Sequence, residues 1–152
     1  MTLRQTIENS LKESLKNRNK VRLDAIRLIV AKLKLIDVEL RTKGVADKAE
    51  TPEHIFPALE KMLKERNDSI AMYQKANRQD LADKEQGEID VIKTFLPEKL
   101  SEQEQLEIVK NVIIEIEASS MKDMGKVMNH IKAQHAGKLD MTILAKQIKE
   151  SL

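Results

Sequence analysis

The chain has 152 residues, of which 34% are charged and only 2% aromatic, and it has no cysteine and a formal net charge of +2. This composition excludes a disulfide framework, a thiolate metal site and a cysteine nucleophile. Helix-forming residues dominate while glycine and proline are scarce, so the sequence predicts an all-α protein without strands. No apolar stretch suits a membrane span and no signal peptide is apparent, so we expect a cytosolic protein that does not bind membranes.

The first two predicted helices lie before residue 42. Thr2 is the expected cap of a first helix that ends near Asn17. The second helix is predicted from about Lys20 to Arg41. Apolar residues cover more than half of its circumference, which is typical of a central helix.

The next two helices are predicted to form a hairpin. The run Thr51-Pro52-Glu53 is a strong start for a third helix that reaches about Asn77. Pro57 falls in its first turns, where proline is expected to kink the helix or delay its start. A polar turn after Asn77 leads into a fourth helix, which ends before Pro97.

Three shorter helices are predicted after that proline. Ser101 and Glu104 have the spacing of a capping box that opens a fifth helix. The pair Ser119-Ser120 is the expected cap of a sixth helix from Met121 to Gln134, and Asp140 is the expected cap of the last. The sequence therefore predicts a four-helix N-terminal domain over residues 1–97 and a three-helix C-terminal domain over residues 98–152.

One arginine is predicted to lie inside the hairpin. Arg66 falls in the middle of the apolar face of the third helix, at about the level of Glu88 on the fourth. Glu85 shares that face with Glu88. A semi-buried arginine needs a carboxylate partner, so we predict a structural ion pair. The alternative is acid–base chemistry by the two carboxylates.

No pattern of catalytic, metal-binding or cofactor-binding residues is recognisable. His130 and His135 are five residues apart, whereas a helical zinc pair needs a spacing of four. The third histidine, His54, is remote in sequence. Capping is a simpler role for Ser119-Ser120 than nucleophilic catalysis. We therefore expect no catalytic residues, no metal and no cofactor.

A basic stripe is predicted along the second helix. From Met1 to Lys43 there are eleven Lys and Arg against five Asp and Glu. Four of these cations recur every seven residues, which places them on one side of a helix: Lys20, Arg27, Lys34 and Arg41. The stripe is a candidate secondary site for an acidic partner, and we predict that this partner is RNA. The alternatives are a solvated edge or ion pairs with acids of the fourth helix.

Two segments of the chain resemble the YqeY-like proteins. The likeness covers nearly the whole chain and is carried by Arg66, Ser69, Tyr73, Asn77-Arg78-Gln79-Asp80-Leu81, Glu85, Glu88, Phe95-Leu96-Pro97-Glu98, Leu100-Ser101 and the run Ser119-Ser120-Met121-Lys122-Asp123-Met124-Gly125-Lys126-Val127-Met128. This last run is similar to the tail domain that YqeY-like proteins share with GatB, the B subunit of the tRNA-dependent amidotransferase.

The resemblance implies a function that composition does not. It implies two helical domains and, because the GatB tail helps to hold tRNA, an RNA-binding role for the C-terminal one. A label of carbon–nitrogen ligase with glutamine as amide donor would be inherited from GatB, whose catalytic body has no counterpart here. The family often has Asp-Gly at the start of the last helix, where this sequence has Asp140-Met141.

The residues of the sixth helix suit a phosphate backbone. Its predicted buried face consists of Met121, Met124, Val127, Met128 and Ile131. The opposite face and its surroundings hold the candidate RNA-binding residues: Lys122, Lys126, Asn129, the small Gly125, the free amides after Ser120, and Lys138 near the next helix. The alternative is a solvated lysine face with a packing glycine.

The sequence therefore predicts a non-catalytic module that binds tRNA or another structured RNA. We expect a monomer that assists an amidotransferase or a component of translation. A protein-interaction adaptor without RNA contact is the alternative, and an amidase-like enzyme is the least favoured reading. The scarcity of aromatic residues argues against readout of single strands by base stacking.

Overall fold

The computed structural model describes all residues from 1 to 152, and they form seven α-helices and no strand. The all-α prediction is therefore confirmed. The helices are α1 Leu3–Lys16, α2 Lys20–Thr42, α3 Pro52–Lys75, α4 Gln79–Lys93, α5 Glu102–Glu115, α6 Met124–Gln134 and α7 Met141–Ser151, with a 3₁₀ turn at Met121–Asp123. The chain divides into two compact units, Met1–Leu96 and Pro97–Leu152. Whether each folds as an independent domain stays a prediction.

Three of the helices begin with side-chain caps that the sequence predicts. Thr2 accepts the N–H of Gln5 while the Gln5 side chain accepts the N–H of Thr2. Ser101 and Glu104 form the same reciprocal pair before α5. Asp140 accepts two amides of the first turn of α7. It therefore caps the helix even though the next residue is methionine and not glycine. Each cap satisfies amides that the first helical turn leaves without a partner.

In the first unit, α2 has one buried face and one exposed face. Ile26, Ile29 and Leu33 are fully buried in the core. Val21 and Leu35 lie on the other side and are 63% and 67% exposed. The expectation of a central helix thus holds for one face only, because α2 has more apolar residues than its neighbours cover.

The hairpin of α3 and α4 forms as predicted. The third helix begins at Pro52 and continues through Pro57, so the second proline does not delay its start. The turn is closed by Asn77, whose φ is 56°, and by the Arg78 N–H, which donates to the Tyr73 carbonyl at 2.8 Å. The left-handed conformation at Asn77 reverses the chain within a few residues.

A buried ion pair in the first unit has no counterpart in the sequence predictions. Arg4 donates two hydrogen bonds to the Asp37 carboxylate and one to the Ala49 carbonyl, all at 2.9 Å, and one to Glu8 at 3.0 Å. Burial acts to raise the pKa of Asp37, but the bonds from Arg4 and from the Ala49 amide lower it below its ordinary value. The network ties the loop after α2 to α1 and α2.

The second unit has a small apolar core and a neutral polar network. Val127, Ile131 and Leu144 are fully buried. Gln105 is 1% exposed, donates to Gln147 and to the Asp140 carbonyl, and accepts the Asp140 amide. These bonds connect α5 to α7 and to the segment that precedes it.

Candidate nucleic-acid interface

The segment that leads into α6 differs from the prediction. Residues 121–123 form a 3₁₀ turn, and α6 begins only at Met124. The Ser120 side chain makes no capping hydrogen bond, so its predicted role as a cap is wrong. Instead, a later residue accepts an earlier amide: Asp123 Oδ2 accepts the Ser119 N–H at 3.0 Å.

Asp123 alters the predicted anion site. The hydrogen bond from the Ser119 amide is the main cause that lowers the pKa of Asp123, and the Ser120 amide and the charge of Lys126 contribute further, while desolvation opposes them. The carboxylate is therefore an internal anion beside these amides. In addition, the Asp123 N–H donates to the Ser120 carbonyl. The amides after Ser120 were expected to be free, but the Asp123 N–H is not. The lysines are therefore the principal remaining candidates for binding an anion.

The predicted polar face of α6 is exposed. Lys122, Lys126 and Asn129 are all exposed, and neither lysine forms an ion pair. Gly125 is also exposed, and a Cβ atom added there would meet nothing within 4 Å. Packing inside this chain therefore does not require the glycine. The space above it is open to a ligand.

The predicted buried face of α6 is correct except at its first residue. Val127 and Ile131 are fully buried, and Met124 and Met128 are half-buried. Met121 is 49% exposed, so the prediction that it belongs to the core is wrong. The physical reason is the 3₁₀ turn, whose three residues per turn rotate Met121 away from the α-helical stripe.

Two further lysines border this face. Lys138 is exposed and follows Gly137, which has a φ of 77°, and its carbonyl accepts the Leu100 N–H at 2.8 Å. This backbone contact fixes the loop while its side chain stays free in solvent. Lys132 is exposed one turn beyond Asn129 and was not among the predicted RNA-binding residues. Its signal was the run of residues 118–139, which holds four lysines and a single carboxylate.

The basic stripe on α2 is exposed along its whole length. Lys20, Arg27, Lys34 and Arg41 are exposed, and none of the four forms an ion pair. The alternative of ion pairs with acids of the fourth helix is therefore not observed. Four exposed cations therefore remain in a row, and of these only Arg41 is close enough to a carboxylate, Asp37, for its charge to contribute to lowering that group's pKa.

Inside the hairpin, Arg66 lies between the two predicted carboxylates. Its Nε donates to Glu88 Oε2 at 2.9 Å and is 4.0 Å from Glu85 Oε2. Its Nη1 donates to the Met62 carbonyl at 3.2 Å. The three charged side chains are only 13–21% exposed. A guanidinium held in this way neutralises both carboxylates, which favours a structural role over acid–base chemistry.

The histidines do not come together. His130 Nε2 is buried, has no hydrogen-bond partner and lies 3.6 Å from Glu115 Oε2. His135 lies at the end of α6, and His54 is half-buried in the first unit. No group of three or more histidine, aspartate and glutamate side chains has a geometry that could hold a metal ion.

Comparison with known proteins identifies the family. The sequence pattern of the family described as Yqey-like protein matches residues 4–152. The chain belongs to the YqeY-like family. The YqeY domain is related to the tail of GatB, in agreement with the resemblance of the run that contains Lys122 and Lys126.

Several fungal relatives of this YqeY-like chain are named Altered inheritance of mitochondria protein 41, mitochondrial. The one from Pyrenophora tritici-repentis is 28% identical over 95% of this chain and 77% of its own length. Those from Candida glabrata and Saccharomyces cerevisiae are 31% and 27% identical over 61% and 70% of this chain. The matched regions span 49% and 54% of these last two proteins, about half their length.

These names contradict the prediction of a cytosolic protein. All three relatives are named as mitochondrial proteins, so the inference of a cytosolic location for this YqeY-like chain is wrong. That inference was based on the lack of an apolar membrane span and of an apolar signal peptide, and neither separates the cytosol from mitochondria, because mitochondrial targeting segments are amphipathic. None of the helices has the length and apolar character that crossing a membrane requires.

Proposed function

We propose that this YqeY-like protein is a non-catalytic accessory module that binds tRNA or a similar structured RNA. One observation carries the proposal. Residues 118–139 present four exposed lysines and only one carboxylate, and that carboxylate accepts the backbone N–H of Ser119. The relation of the YqeY domain to the GatB tail supports RNA as the ligand.

The chemistry of this surface suits phosphate and not bases. Each lysine supplies a compact charge that binds a phosphate oxygen and positions RNA without reading its sequence. Lys122 and Lys126 lie four residues apart around the exposed Gly125, where the lack of a side chain leaves room for a backbone. The α2 stripe was predicted as a secondary RNA site, but its apolar neighbours favour a different ligand, described below.

The central experiment is the affinity for unmodified tRNA as a function of salt. We expect Lys122→Glu with Lys126→Glu to weaken binding and to reduce the slope of log affinity against log salt by about two units, because each lost phosphate contact removes about one released counterion. Fluorescence anisotropy of labelled tRNA measures both quantities.

The matched control is Lys110→Glu with Lys146→Glu. These lysines are exposed, belong to the same unit and form no ion pair, so the change in net charge is identical. The control is expected to retain most of the affinity and the slope of the wild type. No tRNA binding by the wild type at low salt, or equal losses in both variants, would refute the proposal.

The proposal also covers catalysis and cellular setting. We propose that the protein hydrolyses neither glutamine nor ATP and instead assists an amidotransferase or a component of translation. The names of the relatives support a mitochondrial setting. Glutaminase or ATPase turnover that copurifies with the protein and disappears with a single substitution in it would contradict the non-catalytic role.

A further inference from the structure

The outward face of α2 carries an apolar row beside the basic stripe. Val21, Leu28 and Leu35 recur every seven residues and are 63%, 43% and 67% exposed. Val38 continues the same face and is 53% exposed. Large aliphatic side chains with this exposure, aligned on one helix, are unusual unless another element covers them.

The spacing of these residues is that of a coiled-coil seam. Val21, Leu28 and Leu35 occupy one position of the seven-residue repeat, while Asp24, Ala31 and Val38 occupy the position three residues later, so the second row is apolar only from Ala31 onward. The row from Val21 to Val38 is about 26 Å long at a rise of 1.5 Å per residue. This length matches the apolar face of a partner helix of about five turns.

The charges beside the seam specify the partner. Lys20, Arg27 and Lys34 each immediately precede one of the three large apolar residues, which is the flanking position that sets partner choice in coiled coils. Arg41 extends the row, and none of the four lies within ion-pair distance of a carboxylate, although the charge of Arg41 acts on Asp37 from farther away. Asp24 and Glu39 are the acidic residues on this face of α2, and Glu39 already pairs with Lys43, so the basic residues outnumber them. The complementary helix must therefore carry acidic residues along its flank.

We propose that the outward face of α2 is a docking surface for an acidic amphipathic helix of another protein. The partner helix places apolar residues on Val21, Leu28 and Leu35 and carboxylates beside Arg27 and Lys34. A phosphate backbone uses the cations but leaves the apolar row in water, so RNA fits this surface less well.

A second copy of the chain also fits less well. Antiparallel pairing of two α2 helices sets the two basic stripes against each other. Parallel pairing sets Arg27 beside Lys32 and Asp24 beside Asp24 of the other copy, with Lys34 beside Glu39 as the opposite-charge pair. Like charges at these positions oppose association. The surface thus favours a different, acidic protein.

The test uses a synthetic helix of defined chemistry. The probe is a labelled peptide of about three heptads with leucine at both seam positions and glutamate at both flanking positions; its like charges keep it from self-pairing. The comparison peptide has lysine in place of every glutamate. We expect the acidic peptide to bind the full chain at least about tenfold more tightly than the basic one, measured by anisotropy.

Two double variants separate the contributions of the seam and the stripe. Leu28→Ser with Leu35→Ser is expected to weaken the acidic peptide about tenfold or more, because the apolar contact is lost. Arg27→Glu with Lys34→Glu is expected to weaken the acidic peptide and strengthen the basic one. The matched control is Met72→Ser with Ile114→Ser, which removes residues that are 70% and 76% exposed on other helices and is expected to change nothing.

Four outcomes would overturn the proposal. The first is equal binding of both peptides, and the second is full binding by the serine variant of α2. The third is tRNA affinity that falls with the glutamate variant but not with the serine variant, which would make the stripe a nucleic-acid surface. The fourth is a dimer in sedimentation that the serine variant abolishes, which would identify a second copy as the occupant. Circular dichroism of each variant checks that helix content is retained.

Discussion

The two units of the chain bury different kinds of polar groups. In the first unit the polar groups that pair between helices are charged: Arg4 binds Asp37, and Arg66 binds Glu88, while Ser14 is a buried neutral side chain. In the second unit the central polar residue is Gln105, a neutral amide. The charged groups of the second unit lie on its surface.

Because of this difference, the stability of the first unit should depend on its charged residues, whereas that of the second should not. Removing one partner of a buried ion pair leaves an uncompensated charge in a poorly solvated place, which is more costly than losing a neutral hydrogen bond. The first unit should therefore depend strongly on single charged residues. The surface lysines of the second unit, such as Lys122, are then free to serve a ligand. Four substitutions test this contrast, from the largest expected effect to the smallest.

The largest effect is expected for Asp37→Ala. The change leaves Arg4, which is 4% exposed, without its bidentate partner, and it also removes the acceptor of the Ala49 amide. We expect the first unit to lose about 3–5 kcal/mol of stability. Hydrogen exchange of α2 amides measures the loss in that unit.

Asp24→Ala is the matched control for this prediction. Asp24 lies on the same helix but is exposed and has no ion pair, so its loss should change stability by no more than about 0.5 kcal/mol. Equal effects of the two substitutions would show that the buried ion pair is not what the first unit depends on.

The second effect concerns the hairpin. Glu88→Leu leaves Arg66 with the 4.0 Å contact to Glu85 as its only ion pair, beside the hydrogen bond to the Met62 carbonyl, and we expect a loss of about 3 kcal/mol. Arg66→Met should cost less, because methionine fills the apolar face. The two carboxylates that it leaves are 15% and 21% exposed, slightly more than the 13% of Arg66. Urea unfolding followed by circular dichroism compares the two, and a larger loss for Arg66→Met would reverse this ranking.

The third effect is expected in the second unit. Gln105→Met leaves the Asp140 N–H and the Gln147 Oε1 without a partner, while the Asp140 carbonyl keeps the bond from the Leu144 N–H. A loss of about 1–3 kcal/mol is expected. Gln103→Met on the exposed side of α5 is the control. If Gln105→Met costs as much as Asp37→Ala, the contrast between charged and neutral cores fails.

The sequence was most informative where contacts are local. The caps at Thr2 and Ser101 depend on residues three positions apart, and both form as predicted. The pairing of Arg66 with Glu88 followed from counting outward from a short turn, which sets the register of two adjacent helices. In each case a short stretch of chain determines the geometry.

Contacts that depend on a long connection or a local irregularity were not predictable. Arg4 and Asp37 are 33 residues apart, and the Ala49 loop that completes their network has no periodic pattern. Asp37 on the buried face of α2 was a signal without an identifiable partner. At Ser119–Asp123 the pattern of a serine cap was present, but a carboxylate four residues later accepts the amide instead. A serine cap would accept an amide two or three residues later, whereas Asp123 accepts an amide four residues earlier, and periodicity does not decide between these two arrangements.

The exposed faces of α2 and α6 show the same limit. Periodicity identified the cations on both, but the number of neighbouring helices determines how much of an apolar surface is covered. For Leu28 and Leu35 the sequence implied burial, whereas the first unit has no further helix to cover them. The exposed apolar row on α2 is why a protein helix is the proposed ligand there, whereas the lysines of α6 are proposed to bind RNA.

The smallest effect is expected for Lys122→Glu with Lys126→Glu. Both side chains are exposed and unpaired, so the change should alter the stability of the second unit by less than about 0.5 kcal/mol. The one opposing contribution is repulsion between the new glutamate at 126 and Asp123, whose pKa the positive charge of Lys126 helps to lower. At helical neighbour spacing this repulsion is worth only about 0.2–0.5 kcal/mol.

Thermal unfolding and hydrogen exchange at Val127 and Ile131 measure the result against Lys110→Glu with Lys146→Glu. A loss above about 1 kcal/mol would mean that these lysines support the fold. A weaker tRNA complex in the same variant would then report damage to α6 and not a lost phosphate contact.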